Sequence, residues 1–414
     1  MLFSTLLKYS MRVGALRVIH ADGTIRDYGD GSPPSCTLRL KKKSLDYALV
    51  LNPALYVPEA YMDGDLVIED GTLYDFIEIA AMNYARVEHF PLMDALRLIG
   101  IGSRKVKQFN PVGVAQKNVA HHYDLSDELY DLFLDRDRQY SCAYFTDPDN
   151  DIEAAQAAKK RHLAAKMLLD RKGLSVLDIG SGWGGLGMYI AEVSGADVTG
   201  VTLSTEQHRV SNQRARDAGL DSRARFHLQD YRDLPEKYDR IVSVGMFEHV
   251  GKRNYREFFT KLEGLLADDG VAVLHSIGRL DNPAPINPFI RKYIFPGADV
   301  PALSEILPII ENSGLICTDI EILRLHYAET LRLWREAFEA RRDEVAAIYD
   351  ERFCRMWELY LIICEMGFRY ENLMVFQMQL SKSLDAVPLT RDYMFDWERE
   401  QAEKEGRGER EQAA

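Results

Sequence analysis

The stretch Val176-Leu177-Asp178-Ile179-Gly180-Ser181-Gly182-Trp183-Gly184-Gly185 decides the reading of this 414-residue chain. An apolar run leads straight into a glycine-packed turn and the start of a helix. Glycine tolerates positive φ and carries no Cβ, so backbone amides at the helix start can come close to a ligand. Strand, glycine turn and helix in that order hold a nucleotide-like cofactor.

A dinucleotide site of the G-x-G-x-x-G type would carry an acidic residue about 20 residues on, to hold the ribose. Here the second apolar strand, Asp197-Val198-Thr199-Gly200-Val201-Thr202, gives way to Leu203-Ser204 and then Gln207, with no carboxylate at its tip. The third strand ends Leu228-Gln229-Asp230-Tyr231, and the fourth reads Tyr238-Asp239-Arg240-Ile241-Val242-Ser243-Val244-Gly245. Together with Asp178 ahead of the glycines, this set points to S-adenosylmethionine (SAM). From Leu174 to about Leu280 strands alternate with helices, which predicts a parallel α/β sheet with its ligand at the carboxyl ends of the strands.

Net charge is -13, from 64 acidic and 51 basic residues, which argues against a broad electrostatic grip on nucleic acid. Two basic clusters, Arg39-Leu40-Lys41-Lys42-Lys43 and Arg104-Lys105-Val106-Lys107, read either as solvated surface or as contacts to anionic lipid headgroups, each suitably placed charge contributing roughly 1 kcal/mol. No apolar run approaches the roughly 20 residues that span a bilayer, and the start of the chain lacks the pattern of an export signal, so a cytoplasmic protein is expected. The five cysteines are scattered and never at C-x-x-C spacing, which predicts reduced thiols, with neither a disulfide framework nor a zinc site.

The first hundred residues carry short alternating runs broken by turns, the pattern of a small α+β domain (1–97). A connector follows over 98–116, then a catalytic region over 117–397 that includes a long amphipathic helix from Asp151 to Asp170. The proline- and aromatic-rich segment from Asn282 to Pro301 reads as a lid over the site or as a packed surface excursion. Ala328 to Met374 reads as helical, and the charged stretch 398–414 as a disordered tail.

Further strings carry chemistry. His121-His122-Tyr123-Asp124-Leu125-Ser126 and Gln139-Tyr140-Ser141-Cys142-Ala143-Tyr144-Phe145 precede the sheet and suit a segment that folds over SAM. Met246-Phe247-Glu248-His249-Val250-Gly251 puts a carboxylate and an imidazole at the sheet's carboxyl edge, and the next strand exits at Leu274-His275-Ser276-Ile277-Gly278. For cofactor contacts the positions selected are Gly180, Ser181 and Gly182 at the methionine end, Thr202, Leu203 and Gln207 around the ribose and base edge, and Asp230 and Tyr231 beside the adenine. Tyr140 and Ser141 would close over the donor, and Asp178 stands at the base of the turn.

These strings, with Tyr327-Ala328-Glu329-Thr330-Leu331 and Trp334, resemble those of the cyclopropane-fatty-acyl-phospholipid synthases and mycolic acid cyclopropane synthases. Ala60-Tyr61-Met62-Asp63-Gly64-Asp65 is similar to the lipid-binding domain of the phospholipid-acting members. The resemblance implies a class I SAM-methyltransferase, Rossmann-like, with a seven-stranded sheet and a smaller N-terminal α+β lipid-binding domain. It implies methylene transfer to a cis alkene in an unsaturated phospholipid acyl chain, with a transient membrane surface as partner at the inner face.

By the same resemblance a bound bicarbonate takes the proton, held by Cys142, Glu248, His275, Ile277 and Tyr327. Cys364 matches a cysteine sometimes marked as active in the family. Its apolar run, Tyr360-Leu361-Ile362-Ile363-Cys364, and the neighbouring Glu365 read instead as a lipid-pocket lining. His122 and His249 read as structural. Dimerisation is common among the look-alikes, though nothing in these residues requires it. Methylation without ring closure, small-molecule N-methylation and non-catalytic lipid binding are the competing readings; the N-terminal domain counts against the second and the intact cofactor turn against the third.

Overall fold

The computed structural model describes residues 2–84 and 126–413, with side chains from 3 to 407. The connector, the Arg104–Lys107 cluster and the string from His121 to Leu125, His122 included, lie outside the described residues. Contacts divide the rest into two compact units. The first gathers residues 2–84 with Ala284–Pro296 and Ala328–Leu373; the second gathers 126–283, Gly297–Tyr327 and 374–413.

In the first unit β1 (Ala15–Ile19), β2 (Ile25–Gly29), β3 (Ser35–Leu40) and β4 (Leu66–Asp70) form a sheet in the order β2-β1-β3-β4. Leu16, Val18, Leu38 and Leu40 alternate along the strands and bury one face, the period-2 signature of a half-covered sheet. The helix Leu73–Met82 opens on a capping box, with Thr72 Oγ1 accepting from Asp75 N at 3.1 Å and Asp75 accepting from Thr72 N at 2.8 Å. The helix Glu351–Tyr370 packs here too: Tyr61 Oη donates to Glu358 Oε2 at 2.9 Å and Tyr74 Oη to Glu365 Oε1 at 3.0 Å. Contacts therefore do not follow the boundary expected after residue 97, because helices late in the chain share a core with its beginning. The segment expected to be an irregular lid has a π-helical turn at Ile290–Ile294, and Ala284–Pro296 belongs to this unit. Phe289, Ile290 and Ile294 are buried, and Lys292 Nζ and Tyr293 Oη both donate to Glu59 Oε1, at 2.6 and 2.8 Å.

The second unit is built on β5 (Ser175–Ile179), β6 (Asp197–Thr202), β7 (Ala224–Leu228), β8 (Tyr238–Val244), β9 (Leu266–Arg279), β10 (Ile316–Leu323) and β11 (Leu373–Ser381). They lie in the order β10-β11-β9-β8-β5-β6-β7. β7, β6, β5, β8 and β9 pair in parallel, and β10 pairs antiparallel with β11. Val176 and Val242 bury one face of the sheet, Leu177 and Ile241 the other, which is why these strands read as continuous apolar runs. Both β5 and β8 exit at the edge where the glycine turn begins.

Two expectations are corrected in this unit. The helix Ile152–Lys166, capped by Asp151 accepting from Ala154 N at 2.8 Å, stops short of Asp170 because Leu168 takes φ +52°. The stretch from 398 is not a disordered tail: it continues the helix Asp392–Ala413. Glu398 bonds to His162 Nδ1 at 2.8 Å, and Glu405 accepts from Tyr189 Oη at 2.7 Å and pairs with Arg161.

Candidate functional site

The turn after β5 is shaped by left-handed backbone. Gly180, Gly182 and Gly184 take φ of +81°, +54° and +84°, where a side chain is strained. Gly180 N and Ser181 N donate to Val201 O at 2.9 and 3.0 Å, which ties the turn to β6. A Cβ on Gly180 would stand 2.9 Å from Met246 Cβ, so the turn following β8 packs directly against it.

A cavity opens at this edge. Tyr140, Ser141, Asp178, Gly180, Ser181, Gly182, Thr202, Leu203, Gln207, Asp230 and Tyr231 all line it, with Met246 and His249 from the β8 exit. Asp178 Oδ2 and Ser181 Oγ are buried there with no hydrogen-bond partner among the described residues. Burial raises the Asp178 carboxyl to about 7, against the opposing charge of Lys159. Such unspent polar atoms suit the charged amino-acid end of SAM. At the other end Thr202 Oγ1 donates to Gln207 Oε1 at 2.8 Å, and Ser204 caps the helix Thr205–Asp217. Asp230 is held by Arg232 through bonds of 2.9 and 2.8 Å, which keep its carboxylate ionised despite burial.

Sequence reading missed what supports the 139–141 segment. Lys159 Nζ donates to Gln139 Oε1 and Ser141 Oγ at 2.6 and 2.9 Å. One turn earlier Gln156 Nε2 donates to Gln139 O and Ser141 O, both at 3.0 Å. Lys159 is fully buried, and burial lowers its ammonium to about 8 even with Asp135 nearby. A lysine and a glutamine three apart on a helix carry no local signal for this; only the fold puts the segment beside them.

A second set of polar groups lies at the exits of β8 and β9. Glu248 Oε1 accepts from Ile277 N at 2.7 Å, while Oε2 is buried without a partner among the described residues; the nearby Ser276 hydroxyl bonds to Ile277 O. Burial pushes the Glu248 carboxyl up to about 7. His275 is buried and held neutral, its pKa driven well below the usual value by desolvation and then by Lys159, Lys166 and His162. His275 O accepts from Gly245 N at 3.0 Å, and a Cβ on Gly245 would lie 3.9 Å from Ser141 Cβ, which brings Ser141 and Cys142 to the same edge. The Cys142 thiol donates to Ala143 O at 3.3 Å. Tyr327 follows His326, whose Nδ1 accepts from Phe145 N at 2.9 Å, so it is joined to the Cys142 segment. Cys364 lies in the first unit, where burial pushes its thiol up to about 12 and disfavours a thiolate. Burial lowers His249 to about 4, which leaves its imidazole uncharged.

The strand order and this cavity define an enzyme of the SAM-dependent methyltransferase class. A family profile described as mycolic acid cyclopropane synthetase matches residues 113–378, and the chain belongs to that family. A second profile, a domain of unknown function, matches residues 2–89. The chain is 36% identical over 358 residues to the cyclopropane-fatty-acyl-phospholipid synthase of Escherichia coli strain K12, covering 86% of this chain and 90% of that one. It is 37% identical over 381 residues to a tuberculostearic acid methyltransferase of Mycobacterium tuberculosis, covering 88% and 87%. The crystal structure of the mycolic acid cyclopropane synthase CmaA1 complexed with SAH and CTAB superposes with a TM-score of 0.61 at 34% identity, covering 66% of this chain and 99% of that one. Among the described residues no helix is long and apolar enough to cross a membrane.

Proposed function

We propose that the protein transfers a methylene unit from SAM to the cis double bond of an unsaturated acyl chain in a membrane phospholipid, forming a cyclopropane ring. The observation that carries this reading is Glu248, a buried carboxyl with one oxygen held by Ile277 N and the other unspent, beside a cofactor cavity. SAM supplies an electrophilic methyl carbon on its sulfonium sulfur. Gly180, Ser181 and Gly182 take its methionine end, Thr202, Leu203 and Gln207 the ribose and base edge, and Asp230 and Tyr231 the adenine. Tyr140 and Ser141, braced by Lys159 and Gln156, close over the donor.

The alkene's π pair forms the bond to the methyl carbon as the carbon–sulfur bond breaks, leaving S-adenosylhomocysteine and a carbocation. One proton then leaves the new methyl group, and its bonding pair closes the ring. An alkene is a weak nucleophile, so most of the work is orientation, which can supply up to about 7–11 kcal/mol of the barrier. Bicarbonate suits the niche as the proton acceptor: Glu248 Oε2 can accept its O–H, neutral His275 and Tyr327 can donate, Cys142, its thiol directed to Ala143 O, would contribute backbone groups, and Ile277, whose N–H is given to Glu248 Oε1, would act by holding that carboxyl.

The substrate leaves the bilayer, so the protein works in the cytoplasm and docks transiently on the inner face of the membrane. Mass spectrometry of phospholipid acyl chains after incubation with labelled SAM tests the proposal. A labelled gain of one methylene unit that resists hydrogenation is the expected product; unlabelled lipid would overturn it. The tuberculostearic acid methyltransferase at 37% identity favours a second reading, in which the cation loses a different proton and yields a methylated, reducible alkene.

A further inference from the structure

Gln377 belongs to none of the strings that carry the chemistry, yet β11 sets its side chain in the interior of the second unit beside His275. Its Nε2 lies 3.2 Å from His275 Nδ1, with Gln377 0% and His275 2% exposed. A neutral imidazole has one N–H and one lone pair, and the partner of one nitrogen settles the state of the other. An amide N–H donating to Nδ1 makes that nitrogen the acceptor and leaves the proton on Nε2. The reverse arrangement, with Gln377 Oε1 accepting from Nδ1–H, would strand both amide N–H groups in the interior. As placed, one amide N–H is spent on Nδ1 and Oε1 is without a partner among the described residues; an under-satisfied carbonyl is met more often in protein interiors than an orphaned N–H.

We propose that Gln377 is a positioning residue that fixes His275 in its Nε2–H tautomer, so that His275 serves the reaction as a hydrogen-bond donor to an anion and not as a base. The proposal rests on the anion niche argued above. With the opposite tautomer His275 would offer that niche a lone pair, which repels an anion and adds to the repulsion from an ionised Glu248. Placement on a sheet strand keeps the amide in register with the imidazole on neighbouring β9, so the preference is built in before any ligand arrives.

The test is a long-range nitrogen–proton correlation spectrum of the full-length protein labelled with 15N-histidine, with His275 assigned by its loss in His275→Gln. Wild type is expected to show His275 as the Nε2–H form. Gln377→Leu is expected to give a mixture of tautomers and a kcat lower by about tenfold, with KM for SAM unchanged. Gln377→Glu, whose carboxylate accepts from Nδ1–H, is expected to invert the tautomer. An Nδ1–H signal in wild type, an unshifted Nε2–H signal in Gln377→Leu, or an unchanged kcat in that variant would overturn the proposal. The wild-type spectrum decides even where a variant does not fold. If turnover proves independent of added bicarbonate while the spectrum behaves as stated, it is the base assignment that fails.

Discussion

At the scale of single residues, Glu248 joins function to a cost in stability. Its carboxyl is raised to about 7 by burial, so folding favours the neutral form. The stabilisation of that neutral form is fully present below the unfolded carboxyl range near 4.3 and is lost as pH rises through about 7. Above that, the folded protein carries an uncompensated buried charge on the order of 3 kcal/mol. Glu248→Gln should therefore bind SAM normally and lose turnover by about 10²–10⁴-fold, while gaining stability at pH 8 relative to pH 5. Urea denaturation at the two pH values reads the second effect; an equal wild-type-to-variant gap at both would show that Glu248 does not titrate this way. Gly182 makes a separate case. It takes φ +54°, lines the cavity, and among the described residues beyond its chain neighbours a Cβ there meets no atom within 4 Å. Gly182→Val should strain the turn and weaken SAM binding by at least about tenfold in calorimetry; undiminished affinity would remove the turn from the site.

At the scale of elements, legibility tracks how local the controlling contact is. β5 and its glycine turn could be read because a parallel strand covered on both faces is a continuous apolar run and left-handed turns select glycine. Gly200 could not be explained from sequence: it sits inside β6 because the Phe226 ring occupies the place of its Cβ. The C-terminal helix was misread for a similar reason. Its acidic, glycine-containing sequence looks disordered, but Glu398 and Glu405 find their partners more than 200 residues upstream, at His162, Arg161 and Tyr189. His162 is buried, which works against its charge, yet bonds to Glu321 and Glu398 raise its pKa above the ordinary value. A raised histidine contributes stability below its unfolded pKa, and that contribution is lost as pH rises through the folded one. Removing residues after Trp397 should therefore lower Tm, and lower it more at pH 6 than at pH 9. Equal losses at both would show that His162 does not carry the attachment.

At the scale of the whole molecule, the chain's order conceals a shared core. Tyr61 and Tyr74 reach Glu358 and Glu365, and Tyr370 Oη donates to Glu78 at 2.7 Å, so the helices within Ala328–Leu373 fold against the N-terminal residues. Deleting the N-terminal region would strip Glu365, 0% exposed, of Tyr74, and a loss of activity would then report unfolding as readily as lost docking. Membrane contact is better tested on the surface of the first unit. Lys41 and Lys43 are exposed just ahead of the helix Leu45–Leu51, on which Tyr47 and Leu51 are 67% and 55% exposed, while Lys42 is paired with Asp65. Lysines beside exposed apolar side chains suit an anionic bilayer surface, in a protein whose net charge of -13 would otherwise oppose contact. Lys41→Glu with Lys43→Glu should weaken binding to vesicles containing anionic phospholipid by at least roughly 1 kcal/mol per lysine. Tyr47→Ser with Leu51→Ser should weaken it even at high salt, where the electrostatic share is screened. Both pairs should keep wild-type SAM affinity and wild-type turnover on detergent-dispersed lipid. Vesicle affinity unmoved by either pair would place the docking surface elsewhere on the protein.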